Sequence, residues 1–128
     1  MRVRLAIGLV ALLVLAGIAL AFYGQFRPVI DASQAATIAE KFLAVTNGGA
    51  WPAESATLSY DGNRPNFQQG QPATCWGSRW PIGGGCLPYP IWLVHLVGLT
   101  PDGQCDAIDV YVDGRTGKVH QFRRADCP

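Results

Sequence analysis

The stretch from Leu5 to Tyr23 narrows the possibilities most: nineteen residues with no charge and no Asn, Gln, Ser, Thr or Pro. As a helix it would reach about 28 Å, close to the roughly 30 Å hydrocarbon core of a bilayer. Arg2 and Arg4 stand before it as a short positive region. Two fates fit such a leader. It is retained as a signal-anchor over residues 1–26, with Phe22 and Tyr23 at the interface and Gln25 and Arg27 beyond it. Alternatively it is a signal peptide, cut after Ala21 at Ala19-Leu20-Ala21. The run exceeds the roughly 7–15 apolar residues of an ordinary signal peptide, which favours the anchor. Both fates leave the arginines inside and place residues 27–128 on the extracytoplasmic side, in the membrane-bound form or as a secreted protein. No cysteine ends the run, so a lipid-modified anchor is not expected.

About 100 residues follow the leader, the usual size of one domain with one core. Setting Arg2 and Arg4 aside leaves eight Lys and Arg against nine Asp and Glu, a net charge of −1. Nucleic-acid binding requires a basic patch or stripe. The one cationic cluster, Arg123-Arg124, is partly offset by Asp126.

Asp31-Ala-Ser-Gln34 has the spacing of a capping box, in which the Asp carboxylate and the Gln amide satisfy helix-start groups reciprocally. Ala35, Ile38, Phe42 and Val45 then recur at helical steps, predicting an amphipathic helix that lies on a sheet and ends at Asn47-Gly48-Gly49. Glu40 falls on its polar side as a solvated charge. Ala56–Tyr60 is a short strand candidate. From Asp61 to Pro90 the chain turns irregular and rich in Gly and Pro, and its aromatics and cysteines predict a long ordered loop. Ile91–Leu99 is apolar on both faces except at His95, as a central strand would be. Thr100-Pro-Asp-Gly103 has type I turn chemistry. Cys105–Asp113 alternates, with Ile108, Val110 and Val112 on one face and Ala107, Asp109 and Tyr111 on the other, predicting a half-buried strand. Asp113-Gly-Arg-Thr-Gly117 closes a hairpin to Lys118–Arg123. The expected fold is α+β: one helix on a small antiparallel β-meander, preceded by the membrane or signal helix.

Three segments carry a family resemblance: DASQAATIAEKFL at 31–43, PIWLVHLVG at 90–98 and IDVYVDGRTGKVHQF at 108–122. The chain resembles the PepSY domain over about residues 31–125. The last segment is the most telling for the resemblance: a strand ending in Val-Asp, a tight turn containing Thr-Gly, then Lys-Val. Independently of any family, Gly117 can take positive φ and Asp113 can cap the turn amides. The Cys/Trp/Gly-rich insertion at 61–89 and the C-terminal cysteine depart from the family pattern. The resemblance implies a non-catalytic envelope module that regulates or inhibits a peptidase or binds another envelope protein.

Four cysteines in an exported chain read as two disulfides, with three possible connectivities. The hairpin chooses among them: a turn centred near Arg115 brings Cys105 opposite Ala125 and within reach of Cys127. Cys75 then pairs with Cys86. Intervening gaps of ten, eighteen and twenty-one residues match no zinc motif.

Little else points to catalysis. Ser33, Ser55, Ser59 and Ser78 lie in no nucleophile elbow. Gly83-Gly84-Gly85 lacks the Lys and Ser/Thr of a phosphate cradle. No enzyme activity and no cofactor is therefore expected. Trp76, Trp80 and Tyr89 are candidate partner-binding residues for a protein or peptide; the competing possibility is that the tryptophans form a small core over the sheet. The alternative function is an envelope hydrolase or metal-binding protein in which His95, His120 and Asp109 meet across strands.

Overall fold

A computed structural model describes residues 1–66 and 74–128. The expected loop over 61–90 therefore falls partly outside the described residues. The chain is α+β. Helix α1 runs Arg2–Phe26 and α2 Ala32–Thr46, and the strands are β1 Ala53–Ser59, β2 Asn63–Arg64, β3 Thr74–Cys75, β4 Ile91–Leu99, β5 Cys105–Asp113 and β6 Val119–Ala125.

Helix α1 contains Val3–Gly24, an apolar stretch of 22 residues, none of it buried against the rest of the chain. A helix apolar on every side needs an apolar surround. By length and composition it suits a membrane span or a signal helix.

The four long strands form an antiparallel meander in the order β1-β4-β5-β6, and the short hairpin β2-β3 is inserted between its first two strands. The capping box starts α2: Gln34 N–H donates to Asp31 Oδ1 at 2.8 Å, and Asp31 N–H donates to Gln34 Oε1 at 2.9 Å. Ala35, Ala39 and Leu43 are the fully buried residues of α2, meeting Trp92, Val94, Leu96, Ile108, Val110 and Val112 of the sheet. Small Ala35 and Ala39 allow the helix to lie close. The core stripe is thus rotated from the predicted one. Ile38 and Phe42 flank it, and Val45 stands 89% exposed, because two helical steps put it about 200° round the axis from Leu43.

Three more expectations need correction. Strand β1 begins at Ala53, three residues before the predicted start, with a bulge at Glu54. Glu40 is half-buried, and its Oε1 accepts the Ala53 N–H at 2.9 Å, tying α2 to the start of β1. Strand β5 is buried on both faces, because the Ala107, Asp109 and Tyr111 side is covered as well. At the Leu99 end the Trp51 indole lies against Gly98, where an added Cβ would stand 2.8 Å from the ring.

Candidate functional site

The sheet face opposite α2 holds the polar and aromatic residues singled out in the sequence. Side-chain alternation puts His95 of β4, Asp109 of β5 and Arg123 of β6 there, in register across three strands. Asp109 joins them: Oδ1 accepts from His95 Nδ1 at 2.7 Å, and Oδ2 from Arg123 Nε at 3.2 Å. A carboxylate only accepts, so His95 carries its proton on Nδ1. Ser55 of β1 is paired with His95 in the same cross-strand row. Among the described residues no hydrogen bond joins the Ser55 hydroxyl to the imidazole.

His120 does not join this group. In β6 the register shifts by one residue between the pairs Tyr111–Gln121 and Val112–Val119, leaving His120 as the extra residue of a bulge. Bulges re-aim side chains. Here His120 Nε2 donates to Asp113 Oδ2 at 2.9 Å. The same oxygen accepts the Tyr89 hydroxyl at 2.9 Å, and Oδ1 accepts the Arg115 and Thr116 amides at 2.8 and 3.1 Å. Asp113 is 3% exposed. Burial alone would push its carboxyl pKa up. The bonds from His120, the Arg115 amide, Tyr89 and the Thr116 amide outweigh that and hold it below the ordinary value. Burial, reinforced by the bond to Asp113, raises the Tyr89 phenol. Burial is also the main cause that raises Tyr111, with Asp109 adding to it and Arg123 opposing.

The two carboxylates flank an aromatic layer. Trp76 stacks on Tyr111 with centroids 5.6 Å apart and touches the His120 ring at 5.3 Å. The Arg64 guanidinium lies over the indole, 5.3 Å from its centroid, while its Nε donates to Gln121 Oε1 at 3.1 Å. These contacts tie β2 and the residue after β3 to the sheet and cover Tyr111 of β5.

The candidate partner-binding residues divide accordingly. Trp76 is half-buried in the aromatic layer, Tyr89 is half-buried with its hydroxyl on Asp113, and Trp80 is 45% exposed in the loop beyond. Both disulfides form as the hairpin geometry implies, Cys75–Cys86 and Cys105–Cys127. The bulge at His120 improves on the predicted register: Ala107 pairs with Ala125, so continuing the ladder sets Cys105 directly opposite Cys127.

Two features escaped the sequence reading. Asp113 is recognisable as a turn cap, but its second oxygen serves Tyr89 and His120, which no local pattern announces. A cleft of about 540 Å³ lies at the Leu99 end, lined by Gly48, Trp51, Leu99, Pro101 and Asp106 among others. Leu99, the 74% exposed last residue of an apolar strand, was its available signal. Among the described residues no group of three or more His, Cys, Asp or Glu is placed to hold a metal ion. No protein-family model, curated protein or solved structure matches the chain.

Proposed function

We propose that the protein is a non-catalytic binding module of the cell envelope, anchored by α1 as a single-pass span, that engages a protein or peptide partner outside the cytoplasm. The internal pairing on the sheet face carries this reading. Asp109 takes up His95 and Arg123, and Asp113 takes up His120 and Tyr89. These bonds between neighbouring strands and the Tyr89 loop brace the sheet as a rigid platform on which a partner can dock. Arg2 and Arg4 ahead of the span favour the proposed orientation, and two disulfides suit an oxidising compartment.

The cleft at the Leu99 end offers the binding surface. The residues after α1 are tied to the other end of the sheet, where Val29 and Ile30 N–H groups both donate to Gly114 O. Nine-residue β4 carries the chain from there to Leu99, a distance of about 30 Å, so the cleft stands away from the membrane. The resemblance to PepSY domains makes an envelope peptidase the partner class to test first. The experiment is cross-linking and co-purification of the full-length protein from solubilised membranes, beside Leu99→Asp. A partner captured by the parent and lost in the variant, with the melting temperature unchanged, is the expected result. Equal capture by both would remove the cleft from the proposal.

One observation favours a second reading, an envelope hydrolase: Ser55, His95 and Asp109 occupy one cross-strand row. Peptide or ester hydrolysis by the purified protein that His95→Ala abolishes would establish it and overturn the non-catalytic reading.

A further inference from the structure

After Cys75 the chain makes a narrow excursion whose base is closed by the Cys75–Cys86 disulfide. Trp80 N–H donates to Gly85 O at 2.7 Å, Leu87 N–H donates to Ser78 O at 3.0 Å, and Arg79 pairs with Cys86. At the tip of this braced loop stand Trp80 and Ile82, 45% and 90% exposed. Scattered surface hydrophobics are ordinary, so exposure is not the argument. Location is.

The base of the loop lies against the end of α1. Gly77, Ser78, Leu87 and Pro88 share a cleft of about 140 Å³ with Phe22 and Phe26. Phe22 belongs to the apolar stretch Val3–Gly24, and Phe26 follows two residues after it. When α1 spans a bilayer, these rings stand where hydrocarbon gives way to headgroups, the level at which Trp and Tyr side chains concentrate. The loop base is therefore at that level too. Arg115 borders the same cleft, and exposed Arg27 lines its neighbour with Tyr23 and Phe26. Guanidinium groups so placed can pair with the phosphate oxygens of lipid headgroups.

We infer that the stapled loop is a second membrane contact, in which Trp80 and Ile82 enter the interfacial layer of the bilayer that α1 crosses while Arg27 and Arg115 meet anionic headgroups. The contact rests on α1 being retained as a span. Its consequence is orientation: a domain held at two points cannot swing about the short connection after Phe26, and the Leu99 end stays directed away from the lipid. The staple serves this role by ordering the loop before it meets the membrane, which lowers the entropic cost of the contact.

The test uses the full chain reconstituted in phosphatidylcholine–phosphatidylglycerol vesicles, with and without brominated acyl chains. Tryptophan emission should fall in the brominated vesicles, and the fall should be lost in Trp80→Phe and reduced in Ile82→Asp, with both disulfides and the melting temperature preserved. Equal quenching in the parent and Trp80→Phe overturns the contact. So does an Ile82→Asp variant that loses a cross-linked protein partner while keeping its quenching, since the tip would then be a protein-binding element. The intact mass of the protein recovered from native membranes separates the two premises. Loss of residues 1–21 removes the anchor and the contact together, whereas a full-length chain with no Trp80-dependent quenching removes the contact alone.

Discussion

Asp113 shows how much one carboxylate can organise. Its Oδ1 shapes the β5-β6 turn while its Oδ2 holds a loop tyrosine and a bulged histidine. Because the folded-state pKa is depressed, the unfolded chain binds a proton more readily. The stabilisation is thus present above the ordinary carboxylate value and is lost as pH falls through the lower folded value. Asp113→Asn should cost about 1–3 kcal/mol near neutrality by weakening these buried bonds. Its melting temperature should also vary less with acid than the parent's, which thermal melts across the acid range will show. An unaltered acid dependence would assign that dependence to other groups. Gly117 is the turn's other requirement: at φ +73° it occupies the left-handed region that side chains disfavour. Both turn roles were legible from the motif Asp-Gly-Arg-Thr-Gly. The remaining bonds to Asp113 were not, because Tyr89 arrives from a distant loop and His120 through a one-residue bulge.

Among the elements, α2 illustrates where pattern succeeds and where it slips. Its start follows from Asp31 and Gln34, which satisfy each other's backbone within one turn. Its buried face depends on how the helix is rotated over the sheet: Ala39 and Leu43 join the predicted Ala35 at the centre, Ile38 and Phe42 pack at its edge, and Val45 alone of the predicted stripe faces solvent. Leu43→Ala should therefore cost about 2–5 kcal/mol in denaturant unfolding, while Val45→Ala should change stability by about 0.5 kcal/mol or less. A comparable loss at both positions would contradict this packing. Asp31→Ala, which removes the cap, is expected to cost about 1 kcal/mol by the same measurement. For β5 the alternation was legible, yet it indicated one buried face where the fold has two. The second is covered at Tyr111 by Trp76, from the segment after β3, and at Asp109 by His95 and Arg123 of the neighbouring strands, and no period within β5 reports a cover contributed by other segments.

The whole molecule combines an apolar helix with a platform braced by two disulfides. Cys75–Cys86 braces the loop carrying Trp80 and Ile82, and Cys105–Cys127 joins the start of β5 to the tail beyond β6. Replacing Cys75 and Cys86 together by Ser should lower stability by about 2–4 kcal/mol and quicken proteolysis between residues 76 and 88. Limited digestion with mass mapping reads the second effect. Unchanged cleavage there would mean that the hydrogen bonds alone order the loop. Local chemistry and spacing encode the apolar leader, the capped helix, the central strand, the hairpin with Gly117, and the cysteine pairing that this hairpin implies. Long-range packing fixes which face of α2 is buried, that Trp76 covers Tyr111 of β5, that His120 turns to Asp113 while His95 turns to Asp109, and that the base of the stapled loop shares a cleft with the end of α1. Those choices depend on contacts between residues far apart in the chain, whose register and rotation are settled by packing and hydrogen-bond satisfaction rather than by neighbours in sequence.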